Sequence, residues 1–226
     1  MKNLRFKTTH WTCAVALLMT VPLVAATDKV TRKVRAATEV YRELLEAPDR
    51  ELPEELIKKA NCIGVIPHVV KGAFGWGGRR GRGILSCRND AGEWSPPLFL
   101  TLSGGSFGLQ IGGQASDVVL FFMTERSIRA LLKSKFTIGG EASIAAGPFG
   151  RTAEASTDAT LNAEIYSYAR ARGLFAGISV EGARLAPNQK MIREFYGERI
   201  FPDRIVLDHK VPHIPEAAKE FMEVLP

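Results

Sequence analysis

Three hydrophobic rhythms follow one another along the chain. Residues 28–47, DKVTRKVRAATEVYRELLEA, place Val30, Val34, Ala37, Tyr41, Leu44 and Leu45 on one stripe, with Arg32, Arg35, Glu39, Arg42 and Glu43 across from it. Recurrence at three and four residues predicts an amphipathic helix with one face on a core. Pro48 ends that helix, and Pro53 opens a second, PEELIKKA, at its first turn. From Asn61 the rhythm shortens to apolar runs broken by glycine: CIGVIP, VVKGAFGWG, GRGILSCR, PLFLTLS, SFGLQIG and DVVLFFM. These predict strands joined by tight turns, with GAFGWGG as strand and RRGR as the turn leading into GILSC. DVVLFFM has no alternation, so it predicts a strand buried on both faces.

The third rhythm mixes the first two. TERSIRALLKSK, residues 124–135, reads as a short amphipathic helix capped by Thr124. Strands follow at FTIGG, ASIAAGP, EIYSYAR and LFAGISVEG, then a polar segment and a helical end, PEAAKEFMEVL. Phe-Gly pairs at 74–75, 107–108 and 149–150 fit a twisted antiparallel sheet or partly closed barrel, because glycine permits bulges and close backbone approach. No low-complexity linker divides the chain. The expected fold class is α+β: one domain over residues 27–226, with the N-terminal helix at 28–47, a core over about 53–200 and a C-terminal helical segment at 203–226.

The first 26 residues stand apart. Lys2, Arg5 and Lys7 precede TCAVALLMTVPLVAA, which closes on Val24, Ala25 and Ala26. That order of charge, apolar run and small residues predicts a secretory signal peptide over 1–26, cleaved near Ala26. The run is about 15 residues, short of the roughly 20 that a spanning helix needs. Cys13 lies inside the run rather than after a small-residue box, which argues against lipidation there. The expected location is exported, periplasmic or envelope-associated. Losing the leader removes three basic and no acidic residues, so the formal charge falls from +6 to about +3. Attraction to an anionic surface must then come from local clustering. Two cysteines remain, Cys62 and Cys87; an exported chain could bridge them, or they could be two small buried hydrophobes.

Candidate chemistry narrows quickly. GAFGWGGRRGRGILSC, residues 72–87, lacks both the third glycine of a dinucleotide loop and any Gly-Lys-Ser/Thr, and no helix follows it. GGSFG, residues 104–108, matches G-x-S-x-G and makes Ser106 a remote hydrolase candidate, with His209 or His213 as base and Asp158 or Asp203 as orienting acid. The residues after Ser106 are not helical in pattern, which weakens that match. Neither HExxH nor CxxC spacing occurs, so no catalytic residue, metal or cofactor is expected. Basic groups remain: Lys29, Arg32, Lys33 and Arg35 on the first helix, Lys58 and Lys59 on the second, and Lys71, Arg79, Arg80 and Arg82 around the glycine-rich strands. Gathered on one face, they would attract anionic lipid head groups at about 1 kcal/mol each, helped by the basic amphipathic helix. Nucleic acid would use the same charges but does not meet an exported chain.

The runs NCIGVIPHVVKGAFGWGGRRGRGILSCR, WSPPLFLTLSGGSFGLQIGGQASDVVLFFM, GPFGRTAEA, YSYARARGLFAGISVEG and FYG, in that order over about residues 35–200, resemble the SYLF domain family throughout. This family includes eukaryotic lipid-binding proteins, yeast actin-binding proteins and exported bacterial members, and the leader sets this chain beside the last. The resemblance implies binding of phosphoinositide or another anionic lipid through the N-terminal helix and the core, actin binding in some members, and no enzymatic activity. The matching positions are Lys71, Gly72, Phe74 and Gly75, then Asp117, then Gly147, Pro148, Gly150 and Arg151, then Gly173, Phe175, Gly177 and Glu181. Among them Lys71 and Arg151 are the expected anion contacts. The expected partner is therefore an anionic lipid or membrane surface, with a protein partner, actin-like or from the envelope, as the alternative.

Overall fold

The computed structural model describes residues 21–47, 52–74, 76–106, 114–133, 136–148, 162–171, 174–178 and 180–226. Residues 1–20 of the expected leader, and Gly75, Gly150, Arg151, Asp158 and Gly173, lie outside them. The first helix, α1, runs Val21–Leu45, starting earlier than the pattern predicts. Its stripe of Val30, Val34, Ala37, Val40, Tyr41 and Leu44 is buried to 3% exposure or less, while Leu45 is 46% exposed. A short α2, Glu54–Lys59, follows Pro53 as expected.

The core of the sheet is a long hairpin, β1 over Cys62–Phe74 and β2 over Trp76–Cys87. Here the expected RRGR turn is corrected. Phe74 sits opposite Trp76, so the chain reverses between them, and Arg79 and Arg80 lie within β2, opposite Lys71 and Val70. Gly81, expected in that turn, and Gly83, expected to open the following strand, both serve close packing. A Cβ on Gly83 would stand 2.1 Å from the Val65 carbonyl oxygen, and one on Gly81 would stand 2.8 Å from both Ile66 and Val69. Between Val65 and Val70 the register slips in a bulge, which folds β1 against these two glycines. Cys62 and Cys87 are direct partners in the hairpin, both buried, with Cα atoms 4.0 Å apart, and the structure joins them in a disulfide.

Next come β3 (Leu98–Ser106), β4 (Gln114–Phe122), α3 (Glu125–Leu132), β5 (Phe136–Thr137), β6 (Ile144–Ala146), β7 (Ile165–Ala171), β8 (Leu174–Gly177) and β9 (Arg184–Pro187). The sheet order is β5-β9-β3-β2-β1-β4-β7-β6, with β8 also on β7. Every pairing is antiparallel except β6 with β7, so the sheet is mixed, and it curls into a half-barrel. Val118–Phe122, caught between β1 and β7, is buried on both faces as its unbroken apolar run predicts. Thr124 caps α3 by accepting from the Ser127 N–H.

The segment expected to be polar and irregular contains β9 and α4, Gln189–Tyr196. Asn188 caps α4 through the Met191 N–H and Gly197 closes it at φ 85°, while Met191, Ile192, Phe195 and Tyr196 are buried. Two short helices, α5 (Pro202–Val206) and α6 (Glu216–Met222), finish the chain. Helix α1 packs across β1 and β2 and between α4 and α6. Its buried stripe contributes on the order of 10 kcal/mol of gross apolar burial. Four basic residues attracted to a membrane would return only about 4 kcal/mol. The apolar face of α1 therefore belongs to the core and is not free to enter a bilayer.

Candidate functional site

The helix spacing of four puts Lys29 and Lys33 on one flank of α1. In β2, Arg80 and Arg82 are exposed while the intervening Gly81 and Gly83 are buried, so alternation points both arginines to one face. Lys33 is half-buried where α1 crosses this face. Burial, followed by the nearby Arg82 guanidinium, holds its ammonium below the ordinary lysine range; Lys29 adds to this and Asp117 opposes it. Three cations from two elements thus converge: Lys29, Lys33 and Arg82, with Arg80 one rung further along. None of the four pairs with a carboxylate among the described residues.

The other sequence-derived basic residues are distributed differently. Arg32 pairs with Asp28 on the same helix. Arg35, midway along α1, reaches Glu220 of α6 at 3.5 Å and ties the two helices together. Lys71 and Arg79 are partners on the opposite face of the hairpin. Arg79 is half-buried there and donates from Nη2 to the Glu181 carbonyl at 2.8 Å; burial lowers its pKa. Arg151 falls outside the described residues.

Beside the cluster runs an ionic chain that sequence reading singled out only at Asp117. This carboxylate, 8% exposed, accepts from the His68 backbone N–H at 2.9 Å and from Arg170 Nε at 3.0 Å and Nη2 at 2.8 Å. Arg170 continues to Glu43 on α1 and lies over the Phe175 ring at 5.6 Å. His68 adopts φ 56° at the β1 bulge, a conformation unfavourable for a side chain with a Cβ. One buried carboxylate thus fixes the bulge, and its arginine fixes α1 over the sheet. The register partner Arg170, opposite Asp117, is the signal that would have found it.

Ser106 is the last residue of β3, opposite Gly77. Residues 107–113, where a strand-to-helix elbow would have to follow Ser106, lie outside the described residues. His209 lines a cleft of about 380 Å³ with Cys87, Asn61 and Arg88. Cys87 lies ten residues along β2 from Gly77, about 30 Å at the rise of a strand. His213 packs on Tyr196, whose hydroxyl bonds the Pro97 carbonyl at the same end. Neither histidine is near Ser106.

A family model described as "Ysc84: Las17-binding protein actin regulator" matches residues 103–226. The chain belongs to the Ysc84, or SYLF, family. This Ysc84-family chain is 36% identical over 179 residues to "SH3 domain-containing YSC84-like protein 1" of Xenopus laevis, covering 79% of this chain and 53% of that protein. It is 32% identical over 180 residues to "Protein YSC84" of Saccharomyces cerevisiae, covering 78% and 38%. With "LAS seventeen-binding protein 3" of the same yeast it shares 33% identity over 153 residues, covering 66% and 33%. It spans about half the length, or less, of these curated relatives.

Proposed function

We propose that the chain is a non-catalytic binding module whose Lys29, Lys33 and Arg82 grip an acidic protein surface. The observation that carries this reading is the convergence itself: like charges held together around a half-buried Lys33, with Asp117 offsetting them only in part and no carboxylate among the described residues paired to any of the three. An acidic partner removes that repulsion. The relatives' names, Las17-binding and actin regulator, support a protein partner of the cytoskeletal-regulatory kind. Filamentous actin is the probe: the chain should pellet with it, and the double exchange Lys33→Gln/Arg82→Gln should weaken binding about tenfold or more. Unchanged affinity in a folded double variant would remove the cluster from the interface.

A second reading, binding of anionic lipid, rests on Lys29, Lys33, Arg80 and Arg82 sharing one side of the domain. At about 1 kcal/mol each they supply weak, charge-selective adhesion. Pelleting with phosphatidylglycerol or cardiolipin vesicles, but not with phosphatidylcholine, is the expected result. Equal pelleting with all three would contradict it.

We also propose that the chain is exported and envelope-associated. The leader pattern supports this, as does the Cys62–Cys87 disulfide, a bond that persists in oxidising compartments. An envelope protein is then the everyday partner, and actin tests the chemistry of the surface. Intact mass of the exported chain should give a protein beginning at Thr27; a mass that includes Met1 would refute cleavage.

A further inference from the structure

One rung of the sheet runs unbroken across six strands. Ala115 of β4 faces Val70 of β1, Val70 faces Arg80 of β2, and Arg80 faces Ser103 of β3. Ser103 in turn faces Arg184 of β9, which faces Thr137 of β5. Directly opposed residues project to the same side of a sheet, so these six side chains share one face. It is the face that α1 and α4 cover lower down. Phe99, four residues before Ser103, meets Phe195 of α4 at 5.0 Å, and Arg82, two residues beyond Arg80, lies near Lys33 of α1. Asn188, the cap of α4, donates to Thr101 Oγ1 at 2.9 Å, and α4 covers the sheet no further. The rung above is open: Arg80, Arg184 and Ala115 are exposed, and Val70 is 53% exposed. Neither arginine pairs with a carboxylate among the described residues. Glu141, at the β5 end, is engaged by the Thr137 N–H.

We propose that this rung docks one acidic helix of a partner protein, whose carboxylates seven residues apart meet Arg80 and Arg184 across Ser103. This rests on the acidic-protein reading above and gives the partner a form. Arg80 and Arg184 stand two strands apart, about 10 Å at the usual strand spacing. Seven residues of helix advance about 10.5 Å and return to nearly the same face. The interval of the arginines is therefore that of two helical turns. Between them Ser103 is small, so a helix can lie close. Val70 and Ala115 extend the rung beyond Arg80 as an apolar strip for the side chains next to the carboxylates. A guanidinium offers paired donors that match a carboxylate in direction as well as charge. Lipid head groups move independently, so a bilayer responds to the number of cations and is indifferent to their interval. A helix is sensitive to both.

Two labelled helical peptides of one composition test this by fluorescence anisotropy with the full-length chain. One carries its two glutamates seven residues apart, on one face; the other carries them five apart, on different faces. The first should bind about tenfold or more tightly than the second. Arg184→Gln should remove that preference. Ser103→Glu, which sets a carboxylate between the two arginines, should remove it as well without lowering Tm. Lys210→Gln, beyond α5, should change nothing. Equal affinity for the two peptides, or none for either, would overturn the helix dock. If Lys33→Gln/Arg82→Gln weakens pelleting with actin while Arg184→Gln and Ser103→Glu treat the peptides as wild type does, the rung is overturned and the acidic-protein reading stands. If Arg184→Gln weakens pelleting with phosphatidylglycerol vesicles as much as peptide binding, the face meets a membrane and the dock is overturned.

Discussion

Replacing Asp117 with alanine is expected to destabilise the domain by about 3 kcal/mol, read as a drop in the urea midpoint at unchanged slope. Removing one member of a buried ion pair leaves its partner desolvated and unmatched, which is what makes such changes costly. Here the loss is compounded, because the same carboxylate accepts the His68 N–H that holds the bulge. The figure sits at the low end of the usual range because Arg170 is 24% exposed and keeps Glu43. Asp117→Asn, which retains an acceptor for His68, should cost less than alanine. If the alanine variant unfolds within about 0.5 kcal/mol of wild type, the ionic chain does not hold α1 to the sheet.

Gly83→Ala should be at least as damaging, above about 3 kcal/mol. The new Cβ would stand 2.1 Å from the Val65 carbonyl oxygen and 2.6 Å from Ile66 Cα. Both are backbone atoms of the neighbouring strand, so no rotamer change relieves the overlap. Either β1 shifts out of its bulge, moving His68 from Asp117, or β2 loses its register. Gly105→Ala is the matched control: the position is in a strand and its Cβ would have nothing within 4 Å. Alanine there should be neutral or slightly stabilising, by up to about 1 kcal/mol. Comparable effects at the two positions would mean that glycine matters here for general strand flexibility rather than for the close crossing.

Patterns carried by neighbouring residues were legible in the sequence. The stripe from Val30 to Leu44, the Thr124 cap and the unbroken run of β4 all depend on spacings of one to four residues, and each fold element followed. Where glycine had two physical meanings, reading failed. Gly81 looked like a turn residue beside Arg82, yet it lies within β2 and, with Gly83, makes room for the β1 bulge. Segments stabilised by distant partners were also hidden: β9 exists because Ser103, Leu102, Thr101 and Leu100 present an edge to Arg184–Pro187. The candidate site shares this difficulty. Lys33 and Arg82 are far apart in sequence, and only the packing of α1 across β2 brings them together, while the adjacent residues Arg79 and Arg80 part to opposite faces. Amphipathicity itself was correctly read in α1, but its apolar side serves the core instead of a membrane.

If Lys29, Lys33 and Arg82 form the surface that meets an acidic partner, as proposed, docking changes the charge around Lys33. Titrating Lys33 by NMR of its side-chain carbon next to nitrogen, with and without the bound partner, tests it most directly. In the free protein, burial and Arg82 keep this ammonium below its ordinary pKa of 10.5. A negative surface docked on the cluster should raise it, and Lys33→Gln should lose affinity in step. A partner that binds fully while the Lys33 titration stays where it was would show that the contact lies elsewhere on the domain.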